Sequence, residues 1–566
     1  TTEGRLMPQH CSIRELNIFP GVTAMGAECL PAAGTAWGIK KAGGPGVVIC
    51  TIGDASTRQG EFYEALCFAV QEQLPIVFVL EDNGYGISTP TRSMLPFRLD
   101  VFHPDLAVRV DGRNVFELFE RSGEVIARAR RGEGPTVLWC ELDRLGSHTS
   151  ADDHRVYRSA EDIAAMEARD PIRRFADRLQ ADGELSAPQL REMQQEVART
   201  VDRIYREVED KPAPDPARVL DHLFGPPVEH PPLPFQLEGE AVTMVEAINR
   251  TLHAGMELDP RMLCFGQDIE DPKGGVFGLT AGLSSAFPGR VENSPLAEAT
   301  IVGTAVGLAA SGYRPVFEVQ FIDYLTPGFH QLVTQIATLR WRSCGAWTCP
   351  LVLYAPYGAY LPGGGHWHSQ SNDGWWAHIP GLRVAVPSTP EDAAGLFWSA
   401  FHDQDPSLIL IPKHLLRQRT PVQELEPVPF GRLALRRAGG DVTVVSWGNC
   451  LELAEQAARR LEPEGVSLEI LDLRTLVPCD WPAIKASLSK TGRLVVIHED
   501  NRTCGFGQAV IAEMMAEREG FELFFAPPQL VARADVHIPY HPDLEYAVLP
   551  SVEGVVEAVR RTLEGS

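Results

Sequence analysis

Short runs of apolar residues alternate with stretches of helical periodicity along most of the chain. One apolar run covers residues 47–52 and another covers residues 76–80. Between them, four apolar residues recur at helical spacing: Phe62, Leu66, Ala69 and Val70. This pattern predicts a strand, an amphipathic helix and a second strand. A β-α-β unit of this kind places its two strands parallel and adjacent in one sheet.

The same alternation divides the chain into four segments. Residues 1–208 close with a long predicted amphipathic helix, whose apolar face consists of Leu190, Met193, Val197, Val201, Ile204 and Val208. Residues 209–240 contain eight prolines, which exclude regular helix and sheet and predict an extended linker. Residues 241–413 and 430–566 are predicted to be α/β again. Their strands are expected at residues 262–265, 315–320, 351–355 and 384–386, and at residues 442–446, 467–471 and 494–498.

Size, composition and charge limit the classes of protein that fit. A chain of 566 residues is too long for one hydrophobic core, so about three or four domains are expected. The net charge of −24 argues against nucleic-acid binding, because a phosphate backbone requires a cationic surface. No apolar run is long enough to span a bilayer, so no membrane association is predicted. The 11 scattered cysteines indicate reduced thiols and a cytoplasmic protein.

Polar residues follow both strands of the predicted β-α-β unit. Asp54 comes directly after the first strand and Asn83 comes after the second. They are expected at the carboxyl ends of neighbouring strands, where open α/β sheets bind ligands. A carboxylate and an amide oxygen suit Mg²⁺, which usually shares its ligands with a phosphate. Gly53 would let the backbone approach that phosphate. Each half of this pattern alone favours an ordinary structural role, because Gly-Asp commonly follows a strand and Asn-Gly is a turn signal.

The stretch from Gly53 to Thr89 resembles the thiamine diphosphate motif of the transketolase-like enzymes. It is most similar to that of the decarboxylating first component of the 2-oxo acid dehydrogenase complexes. The resemblance implies that Asp54 and Asn83 hold Mg²⁺, with the Tyr85 carbonyl as third protein ligand. Two positions depart from the family pattern. Ala55 replaces a glycine and Asp82 replaces an asparagine, and neither change removes a matched ligand.

A second resemblance covers residues 241–566. The stretches ENSPLAEATIVGTAVGLAASGYRPVFEVQFIDY, HWHSQSNDGWWAHIPGLRVAVPSTP and DLRTLVPCD are similar to the small subunit of the same decarboxylase. The chain is therefore expected to fuse a large-subunit-like and a small-subunit-like part. The implied fold is α/β and transketolase-like, with three consecutive domains and mostly parallel sheets. Residues 1–208 would bind the diphosphate, residues 241–413 the pyrimidine, and residues 430–566 would form the C-terminal transketolase-type domain.

The match also assigns roles around the cofactor. Glu298 occupies the place of the glutamate that protonates the aminopyrimidine ring and so activates the thiazolium carbon. Without the motif it would be read as a first-turn helix carboxylate. Tyr324 is expected to stack on the pyrimidine; without the match it would be an ordinary half-buried aromatic. Met25 is expected to prop the cofactor into its bent shape, although a core methionine is an equally good interpretation. Further cofactor contacts implied by the match are Gly53, Ala55, Ile87, Leu296 and Gln320.

Two histidines match active-site histidines of the family. His148 lies in a polar loop with Asp152 and Asp153, which is expected to be mobile until cofactor binds. His368 lies in the small-subunit string WHSQS. A loop histidine without such a motif is usually only solvated. His366 and His378 are left as structural, because a His366-x-His368 pair has no evident third metal ligand.

The resemblance implies a thiamine diphosphate- and Mg²⁺-dependent 2-oxo acid dehydrogenase. Carbon dioxide would leave because the thiazolium ring accepts the electrons, and the acyl group would pass to the lipoyl arm of a partner acyltransferase. The strings GRxMP, ISTPT and SHTSADD favour branched-chain 2-oxo acids over pyruvate. A homodimer is expected, because each active site requires a diphosphate-binding and a pyrimidine-binding half from different copies.

Two alternatives stay open at this point. A transketolase or synthase shares the domain order and both cofactor motifs, although the His148 loop and the WHSQS string argue against it. An inactive paralogue that serves as a scaffold is the other. It is favoured by Ala55, by Glu81 in place of a basic residue, and by the lack of an N-terminal stretch in which relatives carry a Tyr-Arg pair that contacts the diphosphate. That lack indicates either a fragment or a phosphate held in another way.

Overall fold

The computed structural model describes residues 3–7 and 9–564. It divides into two compact units, Thr1–Asp221 and His222–Ser566. Pro8, the last residue of the GRxMP string, lies outside the described residues. None of the helices in the described part of the chain combines the length and apolar character that a membrane span requires.

The first unit is built on a four-stranded parallel sheet. The strands of the unit are β1 (Val48–Gly53), β2 (Ile76–Asp82), β3 (Tyr85–Gly86), β4 (Thr89–Pro90), β5 (Ala107–Asp111) and β6 (Thr136–Glu141). The main sheet has the order β1-β2-β6-β5, while β3 and β4 form a separate small hairpin. The helices are α1 (Cys29–Lys41), α2 (Gly60–Gln71), α3 (Val115–Arg130), α4 (Ala160–Glu167), α5 (Pro171–Ala181) and α6 (Ala187–Glu209).

The predicted β-α-β unit is confirmed. Strand β1 pairs with β2 in parallel, and α2 connects them. Phe62, Leu66 and Ala69 are buried as the helical spacing predicts. Val70 lies at the edge of the same face and is 41% exposed.

The long helix predicted at the end of the first segment is also confirmed, as α6. A capping box formed by Ser186 and Gln189 fixes its start, since each side chain satisfies a free backbone amide. Its apolar stripe does not enter a core. No residue of α6 is buried, and Val197 and Val201 are 62% and 61% exposed.

The second unit begins with a seven-stranded sheet. Its order is β18-β12-β13-β11-β10-β8-β9, and only the β18–β12 pair is antiparallel. The strands before the C-terminal part are β7 (Ala241–Val242), β8 (Met262–Gly266), β9 (Val291–Asn293), β10 (Arg314–Glu318), β11 (Val352–Tyr357), β12 (Arg383–Ala385), β13 (Ser407–Pro412) and β14 (Thr420–Pro421). The helices are α7 (Met244–Leu258), α8 (Leu283–Ala286), α9 (Glu298–Ala310), α10 (Phe329–Gln331), α11 (Leu339–Arg342), α12 (Asp373–Ala377) and α13 (Pro390–His402).

A five-stranded sheet follows in the same unit, with the order β15-β17-β16-β19-β20. Its part of the chain contains the strands β15 (Ala434–Arg437), β16 (Val442–Ser446), β17 (Leu468–Asp472), β18 (Thr475–Val477), β19 (Leu494–Asn501) and β20 (Gln529–Arg533). The helices are α14 (Cys450–Leu461), α15 (Trp481–Thr491), α16 (Phe506–Met515), α17 (Arg518–Phe521), α18 (Pro542–Val548) and α19 (Val552–Glu564). Strand β18 follows β17 in the chain but belongs to the seven-stranded sheet, where it pairs with β12, so the chain connects the two sheets.

The proline-rich segment 209–240 packs onto the second unit in its last third. Leu237 is fully buried in a cluster with Val242 and Ala394. The Trp398 indole nitrogen donates a hydrogen bond of 2.7 Å to the Pro231 carbonyl. Apolar side chains between the prolines give this stretch a surface to bury, which a free spacer does not have.

Candidate active site

Asp54 occupies the carboxyl end of β1, as predicted. Asp54 is only 2% exposed, and its Oδ2 accepts a short hydrogen bond from the Thr91 hydroxyl. Burial raises the pKa of Asp54, while the Thr91 contact works in the opposite direction. The backbone amide of Asp54 donates to the Glu81 carbonyl at 3.3 Å, which ties it to the neighbouring strand.

Asn83 follows β2 and organises a tight turn beside Asp54. Its Oδ1 accepts a hydrogen bond of 3.1 Å from the Tyr85 amide, and Gly84 takes a left-handed conformation with φ +78°. Side chains of this type bond their own backbone two residues on and so close the turn. The turn sets the position of the Tyr85 carbonyl relative to the Asn83 side chain.

The two departures from the family motif are accommodated by neighbouring residues. A Cβ on Gly86 would lie 2.7 Å from the Ala55 Cβ, so the absence of a side chain at Gly86 makes room for Ala55. Asp82 accepts hydrogen bonds from the Trp139 indole at 2.9 Å and from Arg98 at 3.3 Å. A carboxylate at this position is therefore paired with a cation.

Ile87 lies just after the turn in an unusual conformation. Its φ is +60°, a left-handed value that is rare for a β-branched residue. Arg144 donates a hydrogen bond of 2.9 Å to the Ile87 carbonyl and stabilises this backbone. Strain of this kind concentrates at binding sites, and the Ile87 side chain is 51% exposed.

Met25 and His148 lie on the surface of the first unit. Met25 is 50% exposed, and its sulfur accepts a hydrogen bond of 3.2 Å from the Ser56 hydroxyl. His148 is exposed, and its backbone amide donates to Asp152 at 2.7 Å. The same carboxylate accepts from the Tyr157 hydroxyl at 2.7 Å. These bonds lower the pKa of Asp152, with the His148 amide as the largest cause, and they fasten the base of the loop.

In the second unit, Glu298 is the first residue of α9 and is half-buried. Its Oε1 accepts a hydrogen bond of 2.9 Å from the Gln267 amide, which follows β8 directly. Gln320 donates to Asp268 at 3.2 Å from just beyond the end of β10. Leu296 is 84% exposed and projects from the loop before α9.

Tyr324 and His368 are joined by a hydrogen bond of 2.7 Å between the tyrosine hydroxyl and the histidine Nε2. The other ring nitrogen, Nδ1, lies 3.2 Å from the Gly364 carbonyl. A carbonyl can only accept, so the network assigns the proton to Nδ1 and makes Nε2 the acceptor. The Phe321 ring stands perpendicular to the imidazole at a centroid distance of 4.8 Å.

The backbone around His368 is held by a buried lysine and a partly buried aspartate. The Lys413 ammonium donates to the His368 carbonyl and, at 3.2 Å, to the Ser369 hydroxyl. Asp323 accepts from the Gln370 amide at 3.2 Å. Burial raises the pKa of Asp323 to about 6 and lowers the pKa of Lys413.

The ring of His366 takes no part in this network, although its carbonyl accepts a hydrogen bond of 2.9 Å from the Gln370 side chain. The His366 ring packs against Trp367 and His537, at centroid distances of 4.1 and 4.3 Å. The His378 amide closes the end of α12 on the Gly374 carbonyl. In the residues that the structure describes, no cluster of three or more histidine, cysteine or acidic side chains is arranged for a metal ion.

Sequence reasoning missed several residues that hold the predicted ones. Gln267 and Lys413 each come directly after an apolar strand, as Asp54 does. The rule that found Asp54 would therefore also have found them. Asp323 is adjacent to the predicted Tyr324. Thr91 carries no signal in the sequence, because it reaches Asp54 from a loop 37 residues later.

Three family models match the chain. The model described as "Dehydrogenase E1 component" matches residues 2–217. "Transketolase, pyrimidine binding domain" matches residues 240–419, and "Transketolase, C-terminal domain" matches residues 431–555. The last two matches confirm the predicted transketolase-like fold class.

The chain is also similar to individual proteins. It is 40% identical to the 2-oxoisovalerate dehydrogenase subunit beta 2, mitochondrial, of Arabidopsis thaliana, over 57% of this chain and 90% of the relative. It is 38% identical to the 2-oxoisovalerate dehydrogenase subunit beta of Bacillus subtilis, over 57% and 99%. It is 39% identical to the pyruvate dehydrogenase E1 component subunit beta of Leifsonia xyli, over 57% and 95%. A solved "split gene transketolase, inactive beta4 tetramer" aligns with a TM-score of 0.47 at 23% identity, over 57% of this chain and 99% of that one.

Proposed function

The chain belongs to the family of 2-oxo acid dehydrogenase E1 components, which depend on thiamine diphosphate. From this premise we propose which reaction the chain catalyses. It carries out the oxidative decarboxylation of a 2-oxo acid and transfers the acyl group to a lipoyl arm. An E1-like part and a beta-subunit-like part share one chain. The observation that carries the proposal is the position of Asp54 and Asn83 at the ends of adjacent parallel strands.

The first unit supplies the groups for Mg²⁺ and the diphosphate. The Asp54 carboxylate, the Asn83 amide oxygen and the Tyr85 carbonyl are three oxygen donors, which is the set that Mg²⁺ prefers. Thr91 holds one oxygen of Asp54, and the Asn83 turn holds the two other donors together. The further residues proposed to contact the cofactor on this side are Met25, Gly53, Ala55, Ile87 and His148.

The second unit supplies the groups for the pyrimidine ring. Glu298 holds and delivers the proton that activates the ring, with Gln267 fixing one of its oxygens. Tyr324 offers a flat ring for stacking, and Leu296 and Gln320 line the same side. The bound cofactor supplies the electron sink for the carbon–carbon bond that breaks.

Histidines handle protons around the substrate. His368 presents Nε2 as an acceptor, while Gly364 keeps the proton on Nδ1. An imidazole held in this tautomer presents a free nitrogen that can accept a proton from a bound group. His148, on its exposed loop, is proposed to act during transfer of the acyl group to the lipoyl arm of a separate acyltransferase.

The assembly proposed is a homodimer, in which the diphosphate-binding unit of one copy meets the pyrimidine-binding part of the other. A complete site then requires two copies. All 11 cysteines are free, and a cytoplasmic location remains part of the proposal. A branched-chain acid is favoured by the sequence strings, whereas relatives named for 2-oxoisovalerate and for pyruvate are equally similar to the chain.

Calorimetry followed by a substrate panel tests the proposal. Thiamine diphosphate is expected to bind only when Mg²⁺ is present. The holoenzyme is then expected to reduce a dye acceptor with 2-oxo acids, fastest with branched-chain ones, and to acylate a free lipoyl domain. Turnover of sugar phosphates instead would indicate a transketolase. Absence of cofactor binding would indicate a scaffold, and either result overturns the proposal.

A further inference from the structure

The loop that carries His368 is anchored at both ends by one residue of the C-terminal sheet. This loop, residues 358–372, runs from β11 to α12. Glu499 on β19 is only 3% exposed, and its Oε1 accepts from the Ala359 amide at 2.5 Å and from the Ser371 hydroxyl at 2.7 Å. Its Oε2 accepts from the Asn449 amide at 2.7 Å. Residues 12 positions apart in the loop are thus bound to a single carboxylate oxygen.

The backbone at the start of the loop lies unusually close to this carboxylate. Gly358 has a φ of +87°, and a Cβ built there would lie 3.1 Å from both oxygens of Glu499 and 2.8 Å from the Asn449 nitrogen. Any larger residue would push the loop away from Glu499. The glycine therefore permits the close approach that the Ala359 bond requires.

Two neighbours of Glu499 bind the end of the same loop and the first turn of α12, which follows it. Arg533 on β20 is 3% exposed and donates to the Ser371 carbonyl at 3.3 Å and to the Gln370 side chain at 3.2 Å. Asp500 accepts from the Gly374 amide at 3.0 Å. The C-terminal sheet thus presents buried groups of both charges to a loop of the pyrimidine-binding part, where His368 lies between the anchored ends.

We propose that Glu499 is a positioning residue for His368, and that the C-terminal domain serves the reaction by holding this loop. This proposal depends on the proposed function only because that function gives His368 a role in the reaction. Within the described part of the chain Glu499 forms no hydrogen bond with Tyr324 or His368, so its effect passes through the backbone of the loop. A displacement of about 1 Å at a reacting group can cost about 10²-fold in rate.

Hydrogen exchange, measured on the whole chain without cofactor, tests whether Glu499 holds the loop. Glu499→Ala removes every anchor on the carboxylate, and amides in residues 358–372 are expected to exchange about tenfold faster or more. Glu499→Gln keeps one acceptor oxygen and is expected to restore most of the protection. Glu469→Ala is the matched control, because Glu469 is a buried carboxylate of the same sheet that pairs with Lys490. Exchange at the wild-type rate in Glu499→Ala would overturn the proposal.

Ser371→Ala keeps the test decisive if Glu499→Ala does not fold. It removes one anchor bond and leaves the core intact, so faster exchange is still expected in the same loop, to a smaller extent. Wild-type exchange in this variant, with Glu499→Ala unfolded, would mean that Glu499 stabilises the domain and does not hold the loop.

A double-mutant cycle tests whether Glu499 affects the reaction through His368. Glu499→Ala, or Ser371→Ala if that variant does not fold, is combined with His368→Ala, and the rate of lipoyl acylation is measured at saturating cofactor. If Glu499 acts through His368, the double variant is expected to be no slower than His368→Ala alone. Effects that multiply would overturn the proposal. An inactive wild-type chain would refute the proposed function instead, and the exchange result would still stand.

Discussion

The two units hold their proposed site residues in different ways. In the first unit Met25 and Ile87 are about half exposed, and His148 lies on an exposed loop. In the second unit Glu298 and His368 are half-buried and are bonded to side chains of other elements. Glu298 and His368 are therefore held by other side chains of their unit, whereas Met25, Ile87 and His148 leave much of their surface exposed; Asp54, only 2% exposed, is the exception in the first unit. Variants of the proposed Mg²⁺ ligands in the first unit should mainly change cofactor binding, whereas variants of Glu298 in the second should mainly change rate.

The largest expected effect is loss of cofactor binding in Asp54→Ala. The change removes the only charged oxygen among the proposed Mg²⁺ ligands, and binding of thiamine diphosphate with Mg²⁺ should weaken by more than about 10²-fold. Calorimetry with and without Mg²⁺ measures this. Asp111→Ala is the control, because Asp111 ends β5 at the same edge of the same sheet. Equal losses in both variants would show that Asp54 has only a structural role.

Glu298→Gln should show the opposite behaviour. The amide keeps the shape and the Gln267 contact but cannot deliver a proton, so turnover should fall by roughly 10²–10⁴-fold. Cofactor affinity by calorimetry should change little, because the residue is held by the protein before binding. Proton exchange at the thiazolium carbon, followed by NMR, reports the activation step directly. Exchange as fast as in the wild type would place the activating acid elsewhere.

The contrast between the units also explains what could be predicted from the sequence. Asp54 and Asn83 follow apolar strands, and their placement at adjacent strand ends was derived from the pattern alone. Glu298 and His368 were identified only by resemblance, because their positions depend on contacts from distant elements. Glu499 was missed altogether, since it reaches the His368 loop across 128 residues of sequence.

Strand β19 shows why the sequence pattern failed there. The apolar run predicts a strand that ends at His498, but β19 continues to Asn501. Glu499 and Asp500 are polar yet buried, since they accept hydrogen bonds from another part of the unit. A hydrophobicity pattern treats such residues as the end of a strand. Helix α6 shows the reverse. Its apolar pattern correctly predicted a helix, but none of the apolar residues is buried.

His148→Ala should have a smaller and more selective effect. Because the residue is exposed on the first unit, cofactor binding should weaken only slightly. Transfer to the lipoyl arm should fall by roughly 10–10²-fold, at least as much as decarboxylation, since transfer requires a proton at the leaving sulfur. A dye acceptor measures the first step, and a free lipoyl domain measures the second. His103→Ala, another exposed histidine of this unit, is the control. A collapse of the dye-linked rate with normal transfer would contradict this role.

The smallest effect expected is a pH dependence of stability that differs between the units. In the first unit, burial alone would raise the pKa of Asp143, but ion pairs with Arg169 and Arg113 lower it to about 2. This carboxylate stabilises the fold above its unfolded pKa, and the contribution is lost as the pH falls toward 2. In the second unit, burial raises the pKa of Glu318 to about 8.

The contribution of Glu318 to stability therefore changes with pH in the opposite direction. Its protonated form is favoured in the folded state, so its contribution is complete below the unfolded pKa and is lost as the pH rises through about 8, by at most about 1.4 kcal/mol per pH unit. Glu318→Gln mimics the protonated form and should flatten the fall in melting temperature between about pH 6 and about pH 8. The slope should not vanish, because burial also raises the pKa of Asp373 to about 8. Asp143→Asn should leave this range unchanged and act only in acid. An unchanged slope in Glu318→Gln would mean that the buried carboxyl ionises without cost, and that the second unit is less rigid around its site than its contacts indicate.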